Sequence, residues 1–323
     1  MAHQLVCLGE ILIDFLPLGA GDEPSGFSLH PGGGPFNVAV GLARLGQPTA
    51  FVSRIGADYF GRRLRRVVRA EQIEDRWLLD TAAPTTLAFV AVEDGEPSFT
   101  FYGDGAADTL LTPADLPDEL FAQTALLHFG GISLLRGSTP SAALFAAEWL
   151  RGQALVSLDV NVRPRLIHDE AAYRATVARA IAACDLLKLS AADIAWLAPG
   201  ADPLAYAIAQ LANGPSLVAL TRSGDGVSGL RYGLDGQIEQ VDVPVVPVGV
   251  VDTVGAGDTF TAGLLAALAE SNALSATALR DLPSATLRAA LHQGAAAAAL
   301  ACTRPGADPP TRAELAAFLA DRP

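Results

Sequence analysis

The chain has 323 residues, half of them hydrophobic, and a formal net charge of −13. This length is sufficient for a large core, and the negative charge disfavours binding to nucleic acid or to an anionic membrane. The three cysteines lie far apart in apolar surroundings, which indicates reduced core residues rather than a disulfide framework or a zinc site. No basic segment followed by an apolar run is seen at the start, and we expect a cytoplasmic protein.

Short apolar runs alternate with helical patterns along most of the chain. Strands are predicted at residues 5–8, 50–55, 126–129, 155–158, 186–189 and 217–221. Helices are predicted at residues 36–45, 59–70, 141–150, 171–183 and 203–211, and they dominate from residue 257 onwards. This alternation is typical of right-handed βαβ units, and it predicts a parallel sheet covered by helices on both faces.

Two segments interrupt the alternation, at residues 11–30 and 84–108. Both contain strand-like runs without a helix between them, and the second reads as a hairpin around a Glu-Asp-Gly turn. We expect both segments to be inserted in a single domain spanning residues 1–323 and to form a small sheet. Beside a ligand crevice, such a sheet can act as a lid.

The most informative stretch is Gly255-Ala256-Gly257, which leads directly into a predicted helix between Asp252 and Asp258. A helix start presents unpaired N–H groups and the positive end of the helix dipole, so it can hold an anion. Asp258 in the first turn is placed to accept a proton from a hydroxyl that attacks a phosphate, and the dipole is expected to keep it ionised. A tight turn that only packs a helix is the alternative, and the two flanking carboxylates favour the anion site.

Two further segments suggest contacts to a polar ligand. Three glycines at residues 32–34 precede a helix whose opening turn contains Asn37, although a loop and helix start would explain the glycines alone. Asp14 lies in an apolar run, where a carboxylate is unfavourable unless it is solvated or paired. Accepting hydrogen bonds from vicinal sugar hydroxyls would suit it, and a buried salt bridge is the alternative.

A third polar segment follows the strand predicted at residues 155–158. Alternation along an extended segment predicts that Asp159, Asn161 and Arg163 lie on one side, where they can line a crevice. Arg163 would then grip a phosphate or sugar oxygen. A solvated polar loop is the alternative.

Two nucleotide-binding motifs are excluded. Residues 224–229 match G-x-G-x-x-G but lead into a predicted turn and strand instead of a helix, and the sequence contains no G-x-x-x-x-G-K-[ST]. An NAD-dependent oxidoreductase is therefore the weakest hypothesis, and ATP chemistry would require another anion site.

Two motifs closely resemble the ribokinase-like (PfkB) family of carbohydrate kinases, namely GGGPFNVAVGLARLG at residues 32–46 and DTVGAGDTF at residues 252–260. The resemblance extends over almost the whole chain, and residues 9–15, 86–90 and 101–105 are most similar to fructokinases. It implies an α/β fold, a ribokinase-like three-layer α/β/α sandwich with a mainly parallel central sheet and a small β-sheet lid. It also implies ATP and Mg²⁺, with a sugar as the acceptor: D-fructose, or alternatively 2-keto-3-deoxygluconate or ribose. A relative that binds sugar or nucleotide without catalysis is a further alternative.

The same resemblance implies roles for individual residues. Asp258 would be the general base, and Gly255, Ala256 and Gly257 the anion hole. The sugar would contact Asp14, Gly33, Gly34, Asn37, Phe99, Phe101 and Arg163. The nucleotide would contact Lys188, Ser190, Asp193, Thr221, Gly224 and Gly226. A monovalent cation such as K⁺ would bind near Asp252, Val254, Ala301, Arg304 and Gly306.

The chain departs from the family pattern at three places, of which the third is the nucleotide loop, where Thr221-Arg222-Ser223-Gly224 stands in place of the common Thr-x-Gly. Ser190-Ala191-Ala192-Asp193 stands where the family has Asn-x-x-Glu near the phosphates, and Phe36 is bulkier than the small residue often found before the asparagine. The second departure leaves the exact sugar open. We also expect a homodimer formed through the lid strands.

Overall fold

The structure, a computed structural model, describes residues 3–18, 24–93, 96–233 and 235–321, with residues 90–93 and 96–99 described by their backbone alone. The strands are β1 (Gln4–Leu8), β2 (Leu12–Leu18), β3 (Gly26–Gly32), β4 (Thr49–Gly56), β5 (Leu78–Thr81), β6 (Leu87–Glu93), β7 (Glu96–Tyr102), β8 (Thr124–Gly130), β9 (Leu155–Asp159), β10 (Leu186–Ser190), β11 (Leu217–Thr221), β12 (Val227–Tyr232) and β13 (Ile238–Val243). The helices are α1 (Gly34–Arg44), α2 (Tyr59–Ala70), α3 (Asp118–Gln123), α4 (Thr139–Leu150), α5 (Glu170–Ala183), α6 (Ala191–Leu197), α7 (Pro203–Gln210), α8 (Ala256–Glu270), α9 (Ala276–Asp281), α10 (Ser284–Ala301) and α11 (Arg312–Ala320).

A large, mainly parallel sheet forms the centre of the fold. Its strand order within the described residues is β13-β12-β11-β10-β9-β8-β1-β4-β5. The pairs β11–β12 and β12–β13 are antiparallel, and the other neighbours are parallel. The G-x-G-x-x-G match at residues 224–229 runs into β12, as predicted, and opens no helix.

Alternate residues of the central strands enter two different hydrophobic clusters. In β1, Leu5 and Cys7 join residues of α1, α2, α8, α10 and α11, whereas Val6 and Leu8 join residues of α3 to α7. A strand buried on both faces reads as a continuous apolar run, which explains its sequence. The predicted three-layer α/β/α sandwich is confirmed.

A second, smaller sheet has the order β3-β2-β6-β7. Its strands come from the two segments that interrupt the alternation, and its registers pair Asp14 with Ala88, and Ala88 with Phe101. Because laterally paired residues share a face, these three residues lie on one face, and Phe15 and Phe89 lie on the other. No helix in the described part of the chain is long and apolar enough to cross a membrane.

Candidate active site

Helix α8 begins with a glycine in the left-handed conformation. Gly255 has a φ of 73°, and a Cβ added there would lie 2.6 Å from the Cβ of Ala307. The N–H of Ala256 donates to the Thr253 carbonyl at 3.2 Å. Because Gly255 supplies no capping side chain, the first turn presents the N–H groups of Gly257 and its successor, together with the helix dipole, to the site.

Asp258 is only 8 % exposed, and polar side chains from two other segments meet it. Asn37 on α1 donates from Nδ2 to Asp258 Oδ2 at 2.8 Å, and Asn161 after β9 donates to Oδ1 at 3.5 Å. Burial raises the pKa of Asp258 above its ordinary value, against the Asn37 hydrogen bond and the charges of Arg163 and Lys188, which lower it. Burial therefore dominates the pKa of this carboxyl, instead of the helix dipole that the sequence analysis invoked.

A buried ion pair adjoins the start of α8. Lys188 Nζ on β10 lies 3.0 Å from Asp159 Oδ2 at the end of β9, and the two side chains are 5 % and 4 % exposed. Burial raises the pKa of Asp159 to about 6 although Lys188 lowers it. A Cβ added to Gly257 would lie 3.2 Å from the Lys188 Nζ. The ammonium group therefore places a positive charge beside the first turn of α8.

The glycine loop before α1 packs tightly around the site. Gly33 has a φ of 116°, and a Cβ there would lie 2.4 Å from the Glu10 carbonyl oxygen. The Gly34 N–H donates to Glu10 Oε1 at 3.0 Å. A Cβ on Gly34 would lie 3.3 Å from Asn161 Nδ2 and 3.5 Å from Asp258 Oδ1. The missing side chains thus leave this backbone close to the carboxylate of Asp258.

Asp14 lies on the lid strand β2, close enough to Asp258 for the two charges to interact. The pKa of Asp14 is raised to about 7, mainly by burial and also by repulsion from Asp258, although the positive charge of Arg163 lowers it. A Cβ added to Gly32 would lie 2.0 Å from Asp14 Oδ2, so the carboxylate packs against the loop that leads into α1. Two acids and one arginine therefore converge between the lid and α8.

The other predicted sugar-binding residues lie around these acids. Phe101 packs with Leu12 and Ala88, on the lid face that carries Asp14. The backbone of Phe99 pairs with Val90 in the same hairpin, and its side chain lies outside the described part of the structure. Arg163 is exposed at the rim, where its charge lowers the pKa values of both acids.

The predicted nucleotide-binding residues follow β10 and β11. Ser190 and Thr221 pair in the register of these two strands, so they lie side by side at the carboxyl edge of the sheet. Gly224 has open space where a side chain would be, whereas a Cβ on Gly226 (φ 81°) would lie 2.3 Å from the Val243 carbonyl oxygen. These positions form a continuous edge with Lys188.

Asp193 has a structural task at this edge. Its Oδ2 accepts hydrogen bonds from the Ser190 N–H at 2.7 Å and the Ser190 hydroxyl at 2.6 Å, and its Oδ1 accepts one from the Val162 N–H at 2.8 Å. The Asp193 N–H donates back to the Ser190 hydroxyl, which completes a capping box at the start of α6. The Ser-x-x-Asp spacing is a sequence signal for this role.

Comparison with known proteins shows the family to which a chain with this site belongs. The model of the pfkB family carbohydrate kinases matches residues 2–314. The chain belongs to this family. It is 39 % identical over 287 residues to a fructokinase of Rhizobium leguminosarum bv. trifolii, with 88 % of this chain and 86 % of that protein covered.

Two solved fructokinases share the fold of this kinase. The structure of the Xylella fastidiosa fructokinase with bound ATP has a TM-score of 0.90 at 31 % identity, with 100 % of this chain and 99 % of that chain covered. The Vibrio cholerae O395 fructokinase, in a form with bound fructose, ADP and calcium ion, has a TM-score of 0.82 at 29 % identity, with 98 % and 99 % covered. The predicted membership of the PfkB family and the predicted sugar kinase activity are confirmed.

The residues predicted to bind a monovalent cation lie in two segments, one before α8 and one at and after the end of α10. The Asp252 side chain connects these two segments. Its Oδ1 accepts the Val254 N–H at 3.0 Å, and its Oδ2 accepts the Gly306 N–H at 2.8 Å. The Ala301 carbonyl accepts the Arg304 N–H at 3.0 Å. The structure thus brings the two segments together, with the Asp252 carboxylate engaged by main-chain N–H groups.

Two features of the site differ from what the sequence suggested. Asp159, Asn161 and Arg163 do not share one side of an extended segment, because Asn161 has a φ of 43° and interrupts it. Asp159 is buried and Arg163 is exposed as a result. Glu10 is absent from the predicted site residues, although a carboxylate at the end of an apolar strand is the kind of signal that identified Asp14.

Proposed function

We propose that the chain is an ATP-dependent fructokinase, which transfers the γ-phosphoryl group of ATP to the primary hydroxyl of D-fructose and forms fructose 6-phosphate. The observation that carries the proposal is a buried Asp258 in the first turn of α8, bonded to Asn37 and adjoining the glycine loop and Lys188. The relative and the two structures reported above are all named fructokinases.

Asp258 is the general base in this proposal. The fructose hydroxyl lies between its carboxylate and the γ-phosphate, and Asp258 accepts the proton as the new P–O bond forms. A pKa raised by burial brings the carboxyl closer to the working pH, which favours proton transfer. The Asn37 hydrogen bond holds Oδ2 at 2.8 Å, whereas Oδ1 has only the longer contact with Asn161 at 3.5 Å, so Oδ1 is the oxygen that faces the substrate in this proposal.

The start of α8 and Lys188 neutralise the migrating phosphoryl group. Phosphoryl transfer depends mainly on positioning and charge compensation, because the transition state is loose. The N–H groups that the Gly255-Ala256-Gly257 turn leaves free, those of Gly257 and its successor, and the Lys188 ammonium are fixed before the reaction, so they do not have to reorganise during it.

The lid and the glycine loop hold the sugar. Asp14 accepts hydrogen bonds from its hydroxyls, and the backbone of Gly33 and Gly34 approaches it closely. Arg163 reaches the same pocket from the loop after β9. Phe101, together with Phe99, closes over the sugar in this proposal. Asp14 and Phe101 lie on the same face of the lid, which supports a contact of both residues with one ligand. Closure excludes water, which would otherwise hydrolyse ATP. We assign the whole chain to one ribokinase-like domain that contains this lid.

The nucleotide lies along the edge formed by Lys188, Ser190, Thr221, Gly224 and Gly226 in this proposal. Mg²⁺ would bind here as a partner of the phosphates, because it is usually held by one or two carboxylates together with substrate phosphates. Both oxygens of Asp193 already accept hydrogen bonds, so its contact with Mg²⁺ would pass through water. When bound, Mg²⁺ supplies charge neutralisation between the phosphates.

We assign a monovalent cation such as K⁺ to the carbonyl groups of the two segments that the Asp252 side chain connects. Hard cations bind oxygen ligands, and the loop that holds Asp252 and Val254 leads directly into the turn of Gly255. A cation bound there would stabilise the turn from which α8 begins. Ala301, Arg304 and Gly306 would contribute from the second segment.

The outer face of the lid supports a homodimer. Phe15, Phe27 and Phe89 form a cluster on this face, with ring centroids 4.4 Å apart for Phe15 and Phe89 and 5.4 Å apart for Phe27 and Phe89. Tyr102 on the edge strand β7 is 64 % exposed. An exposed aromatic surface bounded by two edge strands suits pairing with a second copy of the chain. A cytoplasmic location accords with ATP as the donor.

Release of ADP over a panel of sugars tests the proposed function. We expect the highest kcat/KM with D-fructose, and lower values with ribose and 2-keto-3-deoxygluconate. A preference for either alternative would refute the assignment of fructose. Sugar binding without sugar-dependent ADP release would instead indicate a non-catalytic relative.

A further inference from the structure

Glu10 has no substrate contact in the proposed reaction, yet it is only 3 % exposed beside the site. Its Oε1 accepts the Gly34 N–H at 3.0 Å, and its Oε2 accepts the Ser133 N–H at 3.1 Å and a hydrogen bond from the Ser133 hydroxyl. The Glu10 N–H donates in turn to Ser133 Oγ at 2.7 Å. One carboxylate thus joins the end of β1, the segment after β8 and the start of α1.

The surroundings of Glu10 require an acceptor without a hydrogen of its own. Three donors converge on the carboxylate, so the amide of glutamine would turn its NH₂ group toward the N–H of Gly34 or Ser133. The carboxylate occupies the space that a side chain at position 131 would fill, because a Cβ added to Gly131 would lie 2.7 Å from Glu10 Oε1. Hydrogen bonds to an ionised group are also stronger than neutral ones.

The hydrogen bond to Gly34 fixes the first turn of α1. The N-cap of this helix is Gly33, which has no side chain to accept the free N–H groups. Glu10 supplies the missing acceptor from the segment between β1 and β2. Asn37 lies in the same turn, and its side chain donates to Asp258 Oδ2 at 2.8 Å. A continuous path of contacts therefore leads from Glu10 to the carboxylate of Asp258.

We propose that Glu10 is a positioning residue for the phosphoryl transfer. It holds Gly34 and the first turn of α1, so that Asn37 orients the Asp258 carboxylate toward the sugar hydroxyl. The inference rests on the proposed role of Asp258 as the base. The charge of Glu10 also helps to raise the pKa of Asp258. Coupling to Asn37 is therefore what separates the positioning role from a role that merely stabilises the fold.

A double-mutant cycle tests this path, with kcat/KM for fructose measured by ADP release. We expect Glu10→Gln to lower kcat/KM by roughly 10- to 100-fold, the scale for displacing a reacting group by about 1 Å. In the Asn37→Ala background, the same substitution is expected to change kcat/KM by less than about twofold, because the two residues act along one path. Equal losses in both backgrounds would overturn the proposal, as would full activity of Glu10→Gln.

Asp185→Asn is the matched control. Asp185 is also buried and accepts the Val156 N–H at 3.0 Å, but it precedes β10 at the opposite edge of the sheet. This variant is expected to lower Tm and to leave kcat/KM unchanged. Should Glu10→Gln fail to fold, Ser133→Ala removes one donor from Glu10. We expect a loss of about 3- to 10-fold that disappears in the Asn37→Ala background, and an unchanged kcat/KM would overturn the proposal.

Asp258→Asn distinguishes failure of this inference from failure of the proposed function. An active Asp258→Asn variant would refute the base and the positioning role together. An inactive Asp258→Asn variant, combined with a fully active Glu10→Gln variant, would refute the positioning role alone.

Discussion

Replacement of Lys188 by methionine separates the structural role of the buried ion pair from its role at the anion site. The Lys188 Nζ lies 3.0 Å from Asp159 Oδ2, and burial already raises the pKa of Asp159 to about 6 with the ammonium in place. Without it, the carboxylate is buried without its charged partner. Breaking a buried pair in this way is expected to lower the free energy of unfolding by about 3–5 kcal/mol.

The double variant Lys188→Met/Asp159→Asn is the matched control. It removes both charges of the pair together, so it is expected to regain most of the lost stability. It lacks the positive charge beside Gly257, however, and its kcat is expected to stay low. We expect kcat to fall by about 10²- to 10³-fold in both variants, the scale for removing one donor from a preorganised anion site.

Urea denaturation gives the free energy of unfolding, and ADP release at saturating ATP and fructose gives kcat. The loss of stability in Lys188→Met is expected to shrink on acidification. A carboxyl whose pKa is raised in the folded state binds more protons there than when unfolded, so stability falls as pH rises above about 4. Wild-type stability of the single variant, or recovery of wild-type kcat by the double variant, would refute the reasoning.

Three further predictions concern the lid and the glycine loop. Asp14→Asn is expected to raise the KM for fructose about tenfold or more by loss of charged hydrogen bonds. The same variant should have a higher Tm than the unliganded wild type at pH 8 but not at pH 4, because a pKa raised to about 7 makes the ionised Asp14 destabilising as pH rises. Initial rates measure the KM and thermal denaturation measures the Tm. An unchanged KM would make Asp14 structural. Gly33→Ala is expected to abolish turnover, because its Cβ would lie 2.4 Å from a carbonyl oxygen. In the control Gly152→Ala, where φ is 79° and nothing lies within 4 Å of the added Cβ, we expect a loss of only about 1 kcal/mol of stability. An active Gly33→Ala variant would show that the loop can shift. Phe27→Lys is expected to convert a dimer into a monomer in analytical ultracentrifugation, and a persistent dimer would argue against pairing through the lid.

The layered fold could be predicted because its signals are local. The run Leu5-Val6-Cys7-Leu8 forms β1, which is buried on both faces, and the helix predicted at residues 59–70 is α2 (Tyr59–Ala70). The helix predicted at residues 171–183 begins one residue earlier, at Glu170. In each case the apolar period alone selects the element, without information from distant parts of the chain.

The geometry of the site depends on contacts that spacing does not reveal. Asn37 and Asp258 were both predicted at helix starts, but their hydrogen bond joins residues 221 positions apart. Glu10 and Ser133 are separated by 123 positions, so their contact cannot be predicted from a local sequence pattern. The raised pKa of Asp258 likewise results from burial by several elements, which a local dipole argument cannot supply. The capping role of Asp193 was not predicted, although the Ser-x-x-Asp spacing from Ser190 is a local signal from which it could have been.

The most direct test of the account is Asp258→Asn, with kcat measured by ADP release and the Kd of fructose by calorimetry. The substitution keeps the shape of the side chain and its contact with Asn37 while removing the proton acceptor. We predict that kcat falls by about 10²- to 10⁴-fold, the usual contribution of a general base, and that the Kd of fructose stays within about threefold of the wild-type value. A wild-type kcat, or a loss confined to fructose binding, would contradict the account.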